Sequence, residues 1–234
     1  MHKTTVQLNQ FTRLYQDDDL LIVHKPAGLL VHKSIIDKRE TLFATTLAED
    51  MVKQKVYTVH RLDKPTSGIL VFALNSLTAS KLCLQFSERK VIKKYIAICR
   101  GWTEPEGTID KPLQYQKDKI TGSSKKGGVE AQEALTNFKR IERYILEKSL
   151  NQFESQRYSL VELNPKTGRK HQLRRHLNSI HHPIIGDVRH GDRHHNKLFS
   201  NEFGLHRLYL AATEISFKHP TTGMNLHITC PAQD

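Results

Sequence analysis

The most constraining stretch of the chain is residues 68–74, Gly-Ile-Leu-Val-Phe-Ala-Leu, which holds no polar residue. It is far shorter than the roughly 18 residues of a membrane span. A strand with one wet face alternates, so an unbroken apolar run of this length predicts a fully buried strand. Residues 41–54 carry Phe43, Leu47 and Met51 at helical spacing beside Ala44, Ala48 and Val52, which predicts an amphipathic helix. After the run, Asn75-Ser76 reads as a helix cap, followed by Ala79, Leu82, Cys83 and Phe86 at i, i+3, i+4 and i+7.

The rest of the chain is dominated by strand signals. Leu14-Tyr15 and residues 20–23 flank the acidic turn Asp17-Asp18-Asp19 as a small hairpin, which ends at the turn Lys25-Pro26-Ala27-Gly28. Residues 92–100 alternate, with Tyr95, Ala97 and Cys99 on one face and Ile96 and Ile98 on the other. Residues 103–130, rich in Gly, Lys, Pro and Ser, read as a mobile basic excursion. Strands return near 131–146 and 157–163; residues 164–168 form a turn, 170–180 a short helix, and the C-terminal stretch two or three further strands. Many strands with few short helices predict an α+β fold, a mixed, mostly antiparallel sheet flanked by short helices and loops. With no internal repeat and no low-complexity linker, all 234 residues are expected to form one domain.

Composition narrows the partners. The formal net charge is +12. Such an excess suits a polyanion whose counterions are released on binding, although many basic proteins simply gain solubility from it. Cys83, Cys99 and Cys230 form no C-x-x-C pair and read as buried, reduced thiols. The opening residues, MHKTTVQLNQ, lack the apolar core of a signal peptide, so a cytoplasmic protein with no membrane association is expected.

Two constellations can carry chemistry. The first is His60-Arg61-Leu62-Asp63-Lys64-Pro65-Thr66-Ser67-Gly68, a carboxylate on a tight loop between cations, just before the buried strand. A rigid strand presenting a loop is how a scaffold displays a reactive group; equally, this string is a good turn in which Asp63 caps its own backbone. The second is Lys166-Thr167-Gly168-Arg169-Lys170-His171-Gln172-Leu173-Arg174-Arg175-His176. On a helix, Leu173, Leu177 and Ile180 would face the core while His171, Arg174, Arg175 and Asn178 form a polar stripe. Such a stripe can hold phosphates, pair with a carboxylate, or merely be solvated. Fourteen histidines invite a metal reading, but no H-E-x-x-H is present and His171 and His176 are five apart, so no metal is expected.

These residues match a family. HRLDKPTSGILVFA resembles the H-R-L-D-x-x-T-S-G signature of the RluA-type pseudouridine synthases, IKKYIAICRGW its K-x-Y-x-A motif, PKTGRKHQLRRHL its third motif, and HPIIGDVRHGD the segment that follows. The four stand in family order over roughly residues 25–220. The string of residues 165–192 is most similar to the branch that modifies uridine 65 of tRNA. One departure stands out: the family's Leu-His-Ala is here Leu210-Ala211-Ala212.

The resemblance implies a pseudouridine synthase fold with a central catalytic cleft, no N-terminal RNA-binding accessory domain, no cofactor, and a monomer with no obligatory protein partner. It implies Asp63 as the catalytic carboxylate, Arg174 pairing with it and aiming it, and Tyr95 stacking on the uracil, with a hydroxyl able to take the C5 proton. His60 and Arg61 would fill the gap left by a flipped base. Lys64, Arg169, His171, Arg175 and the segment around residues 117–126 would contact the RNA. A ribosomal-RNA enzyme, or an RNA-binding protein that kept the fold without catalysis, are the alternatives.

Overall fold

The fold is that of a computed structural model, which describes residues 8–33, 41–114 and 130–232. Strands β1 (Thr12–Gln16) and β2 (Leu20–Lys25) lead to helix α1 (Ala44–Val52), short β3 (Tyr57–Thr58), β4 (Ser67–Ala73), helix α2 (Ser76–Ser87) and β5 (Ile92–Arg100). Then come β6 (Glu106–Asp110), β7 (Leu113–Gln114), β8 (Ala131–Gln132), β9 (Leu135–Leu146) and β10 (Gln156–Pro165). Helices α3 (Gln172–Ser179) and α4 (Arg193–Phe203) and strands β11 (Leu210–Lys218) and β12 (Asn225–Thr229) complete the order.

One ten-stranded sheet runs β1-β2-β4-β11-β5-β10-β9-β6, with β3 beside β4 and β12 beside β11. Among its pairings only β4 with β11 is parallel; the rest are antiparallel, as the strand-rich sequence predicts. All seven residues of β4 are buried, as are all six of β2. The reason is cover on both faces. Leu21, Val23, Leu70 and Phe72 pack with Ala44 and Ala48 of α1. The alternate residues Leu20, Ile22, Ile69 and Val71 pack with Leu82 of α2. Each large aliphatic side chain so buried stabilises the fold by roughly 1.5–3 kcal/mol before entropy is charged against it.

The two caps form where the side chains allow. Asn75 Oδ1 accepts from Thr78 N at 2.8 Å and starts α2. The acidic hairpin turn closes because Asp17 Oδ1 accepts from the N–H groups of Asp19 and Leu20, both at 2.8 Å.

Several local expectations are corrected. Residues 106–110 are not a loose excursion but strand β6, paired with β9; residues 115–129, including the whole basic segment near 117–126, lie outside the described residues. Cys83 is exposed on α2, whereas Cys99 and Cys230 are buried; all three are free. Helix α4 was not foreseen. Its cap is Asp192, whose Oδ1 accepts from His194 N at 2.8 Å, and His195 turns inward to Tyr158 at 3.0 Å. No described helix is long and apolar enough to cross a membrane.

The parallel pair joins the two halves of the sheet and explains Gly68. Its φ is +109°, and a Cβ there would collide with the Ala212 carbonyl on β11. Only glycine lets β4 lie this close to β11 at such a backbone angle, and the loop carrying Asp63 feeds straight into that contact.

Candidate active site

The loop of residues 60–66 is tied down at both ends. Its turn closes with Thr66 N donating to Asp63 O at 3.0 Å. The Lys64 carbonyl accepts from Gly28 N at 2.8 Å and from Lys25 Nζ at 3.3 Å. His60 Nε2 accepts from Val71 N at 2.9 Å, and its ring stacks on Phe86 at 4.9 Å. Leu62 and Thr66 are buried. Asp63 and Arg61 are therefore left to face the cleft from a fixed loop, Asp63 half-buried and Arg61 exposed.

Lys25 is fully buried, and its ammonium also donates to Pro26 O at 3.0 Å and Leu29 O at 2.9 Å. Burial pushes its pKa down to about 7, against the pull of the Asp63 charge. It staples the Lys25-Pro26-Ala27-Gly28 turn beneath the Asp63 loop, a part that turn-reading alone did not reveal.

The opposing wall is α3. Arg174 is 4 % exposed and its Nη1 donates to Asp63 Oδ2 at 3.1 Å. Its Nε and Nη2 grip Asp187 at 2.7 and 2.8 Å. Burial would lower the Arg174 pKa, but the hydrogen bonds and charges of Asp187 and Asp63 outweigh it and raise it. In Asp187, likewise, burial is outweighed by Arg174 and by the backbone N–H groups of His190 and Arg189, and the pKa falls. Of the readings open to the polar stripe, Arg174 takes the pairing with carboxylates and points inward, not to solvent. The neighbouring Gln172 is a structural knot, accepting from Thr167 Oγ1 and Arg169 N and donating to Leu135 O and Thr136 Oγ1.

Tyr95 closes the third side, on β5 next to Leu210 of β11. Arg61, Leu62, Asp63, Lys93, Tyr95, Arg169, His171, Arg174 and Leu210 line one cleft. Burial first, and then the Asp63 charge, raise the Tyr95 pKa, which keeps the proton on its hydroxyl. Ala211 is buried in the sheet, paired with Ser67 and Ile96; Leu210, not residue 211, reaches the cleft.

The remaining expected contacts divide. Arg61 is exposed at the cleft mouth, and Arg169 and His171 line it. His171 Nε2 lies 3.9 Å from Asp63 Oδ2 while its Nδ1 meets His190 Nε2 at 2.9 Å. Burial pushes its pKa down to about 4 despite Asp63. His60 is held inward by Val71 and is no free wedge; burial, with Lys93 nearby, takes its pKa down to about 3. Lys64 and Arg175 line neither the cleft nor the cavity beside it, and Arg175 Nη1 donates to Gln114 O at 3.1 Å. Among the described residues no three His, Cys, Asp or Glu side chains converge on a metal-sized point.

The unforeseen residues of this site are Asp187, Lys25 and Gln172. The signal for Asp187 was present in the quoted string HPIIGDVRHGD, where an acid directly follows a glycine needed at φ +78°.

Comparison with known proteins points to a single family. A family described as RNA pseudouridylate synthase matches residues 19–179. The chain is 48% identical over 221 residues to tRNA pseudouridine synthase C of Vibrio parahaemolyticus, covering 94% of this chain and 90% of that protein. It is 46% identical over 215 residues to the protein of the same name from Pasteurella multocida, covering 92% and 88%. Among solved structures, Human RNA Pseudouridylate Synthase Domain Containing 1 superposes with a TM-score of 0.73 at 26% identity, covering 99% of this chain and 86% of that one. Human RNA Pseudouridylate Synthase Domain Containing 4 gives 0.66 at 28% identity, covering 93% and 87%.

Proposed function

Because the chain belongs to the RNA pseudouridylate synthase family, we propose that Asp63, Tyr95 and Arg174 are the working groups of its cleft and that its target is uridine 65 of tRNA. The protein is an RNA pseudouridine synthase, an isomerase that converts uridine to pseudouridine in tRNA. The reaction breaks the C1′–N1 bond, joins C1′ to C5 of the same base, removes the C5 proton and leaves a proton on N1. Atoms balance with no net oxidation, so the demands on the protein are to hold a detached base and to manage charge and protons.

One observation carries the assignment of Asp63. Its Oδ2 is held by Arg174 at 3.1 Å, Oδ1 has no partner among the described residues, and the residue lines the cleft. A carboxylate aimed by a guanidinium and with one oxygen open suits attack at an electron-poor sugar carbon or ring carbon, or removal of a sugar proton. Tyr95, protonated and half-buried, offers the uracil a face to stack on and a hydroxyl to donate. To reach this depth the nucleotide must leave its stack, at a few kcal/mol. Arg61, exposed at the mouth, takes the vacated place, with His60 as its fixed neighbour. Arg169 and His171 line the same mouth and steer the phosphates, while Lys64 and Arg175, outside both cavities, add contacts to RNA farther from the target nucleotide.

The unbroken sheet across both halves supports reading the chain as one catalytic domain. All three working groups come from one chain, which supports a monomer. Three free cysteines suit a reducing compartment, the cytoplasm. The decisive experiment is Asp63→Asn on the full chain with unmodified tRNA. Binding persists and pseudouridine formation disappears; product at an ordinary rate would remove Asp63 from the role.

A further inference from the structure

The working groups above leave one motif residue without a task. Lys93 stands two positions before Tyr95 on β5, so both side chains leave the same face of the strand. Its neighbour Lys94 leaves the other face and is matched there by Glu214 at 3.1 Å and Glu162 at 3.9 Å. Lys93, half-buried, has neither an acidic nor a hydrogen-bonding partner among the described residues. An ammonium drawn out of water without a counter-charge is costly, and burial lowers its pKa. Lysines do snorkel along apolar surface for packing alone, but the surroundings of Lys93 are not apolar.

Beside the Asp63 cleft lies a second cavity of about 430 Å³, lined by Val59, His60, Phe86 and a ring of cations. Six residues border both spaces: Arg61, Lys93, Tyr95, Thr167, Gly168 and Arg169. They form a neck between the two, and three of the six are cationic. Arg89 also lines the outer cavity, but its guanidinium is matched by Glu133 at 2.7 and 3.1 Å. Arg169 gives only its Nε, to the Glu133 carbonyl at 3.0 Å, and Arg61 has no partner among the described residues. Lys166, exposed, also lines the outer cavity without a side-chain partner among the described residues, so the unmatched positive charge is three cations at the neck and one outside it.

We propose that Lys93, together with Arg169, is a binding site for the phosphodiester of the target nucleotide, which it holds in the neck while the uracil lies against Tyr95 and the sugar over Asp63. The inference rests on the reading of the inner cleft as the nucleoside pocket. A base, its sugar and its phosphate are met in sequence by Tyr95, Asp63 and Lys93. Phosphate contacts set register without reading sequence, so the neck fixes which C1′ arrives over Asp63 whatever base is flipped.

The test uses the full chain as Lys93→Gln and Lys93→Arg, with three tRNAs: unmodified, and carrying one uncharged methylphosphonate immediately 5′ or 3′ of the target uridine. On unmodified tRNA Lys93→Gln weakens binding about tenfold and lowers the salt slope by about one, while Lys93→Arg retains most of the affinity. On one of the two neutral tRNAs, wild type and Lys93→Gln bind alike, because the charge that Lys93 meets is gone. Equal losses from Lys93→Gln on all three tRNAs would make Lys93 a packing residue and overturn the site, as would no loss on any. Repeating the binding series in the Asp63→Asn background keeps the two ideas apart: it scores the neck without chemistry, whereas absence of pseudouridine with wild type would count against the reading of the inner cleft.

Discussion

Arg174 holds two carboxylates on unequal terms. Asp187, in the loop between α3 and α4, accepts Nε and Nη2 of Arg174 at 2.7 and 2.8 Å and the N–H groups of Arg189 and His190, each at 2.9 Å. Its side chain is 1 % exposed. Asp63, in the loop before β4, accepts one bond of 3.1 Å on one oxygen and is 22 % exposed. Same residue type, same partner, opposite fates. A carboxylate with its lone pairs filled is part of the architecture, because any change leaves buried donors unmatched. One with an oxygen open is available to a substrate. Gly186 helps to make the difference: with φ +78° and no Cβ to strike the Arg207 carbonyl, it lets Asp187 sink beneath α3.

The contrast breaks if mutations at the two acids have similar consequences. Asp63→Asn is expected to cut the pseudouridine rate by at least about 10³-fold while shifting stability by no more than roughly 0.5 kcal/mol, in the range of surface changes. Arg174→Leu strikes both acids: it strands a buried carboxylate, costs about 3–5 kcal/mol of stability in urea titration, and removes activity as well. Asp187→Asn keeps the shape but loses the charge-assisted clamp, at about 1–3 kcal/mol. Its rate falls less than that of Asp63→Asn, since Arg174 can still reach Asp63. A variant of Asp187 that is fully stable but inactive would reverse the assignment of the two acids.

How much of this was legible beforehand follows the range of the interactions. β4 was readable because cover on both faces erases alternation, and α2 because its cap and its apolar stripe are local. Asp63, Tyr95 and Arg174 came from motif resemblance, and geometry brings them together from three separate elements. What sequence spacing misjudged was direction. Arg174 sits on the expected helix, yet periodicity groups it with Arg175 and Asn178, and only the distant Asp63 and Asp187 draw it inward. Lys25 looked like a turn residue because its partners, the carbonyls of Pro26, Leu29 and Lys64, are backbone atoms that no side-chain pattern records. Helix α4 was missed because its buried residues, His195 and Phe199, are few and sit among polar ones.

The two loops also differ in what acid does to their anchors, which gives the smallest and finest test of the contrast. The loop of Asp63 is anchored through His60, whose neutral ring accepts from Val71 N; burial holds its pKa down at about 3, against an ordinary value of 6.5. His171 beside Asp63 is held near 4. Both are groups whose protonated form the fold disfavours, so between those values and 6.5 the unfolded chain binds more protons than the folded one. Stability then falls as pH drops from 6.5, by at most about 1.4 kcal/mol per pH unit for each of the two histidines, and by less where water reaches the ring. The loop of Asp187 is anchored by a carboxylate whose folded pKa is lowered, so its contribution holds above the ordinary carboxyl value of 3.8 and is lost only below it. His190 in the Asp187 loop, whose pKa burial also lowers, adds a histidine contribution on that side, so it is the two anchors that separate, His60 giving way before Asp187. Urea midpoints from pH 7 to pH 4 should decline in wild type and decline less in His60→Asn, whose amide oxygen can accept from Val71 without titrating; Asp187→Asn should run parallel to wild type over the same range. Equal slopes for wild type and His60→Asn would mean that His60 is not what ties the Asp63 loop to β4 in acid, and the difference between the two loops would then have to rest on Arg174 alone.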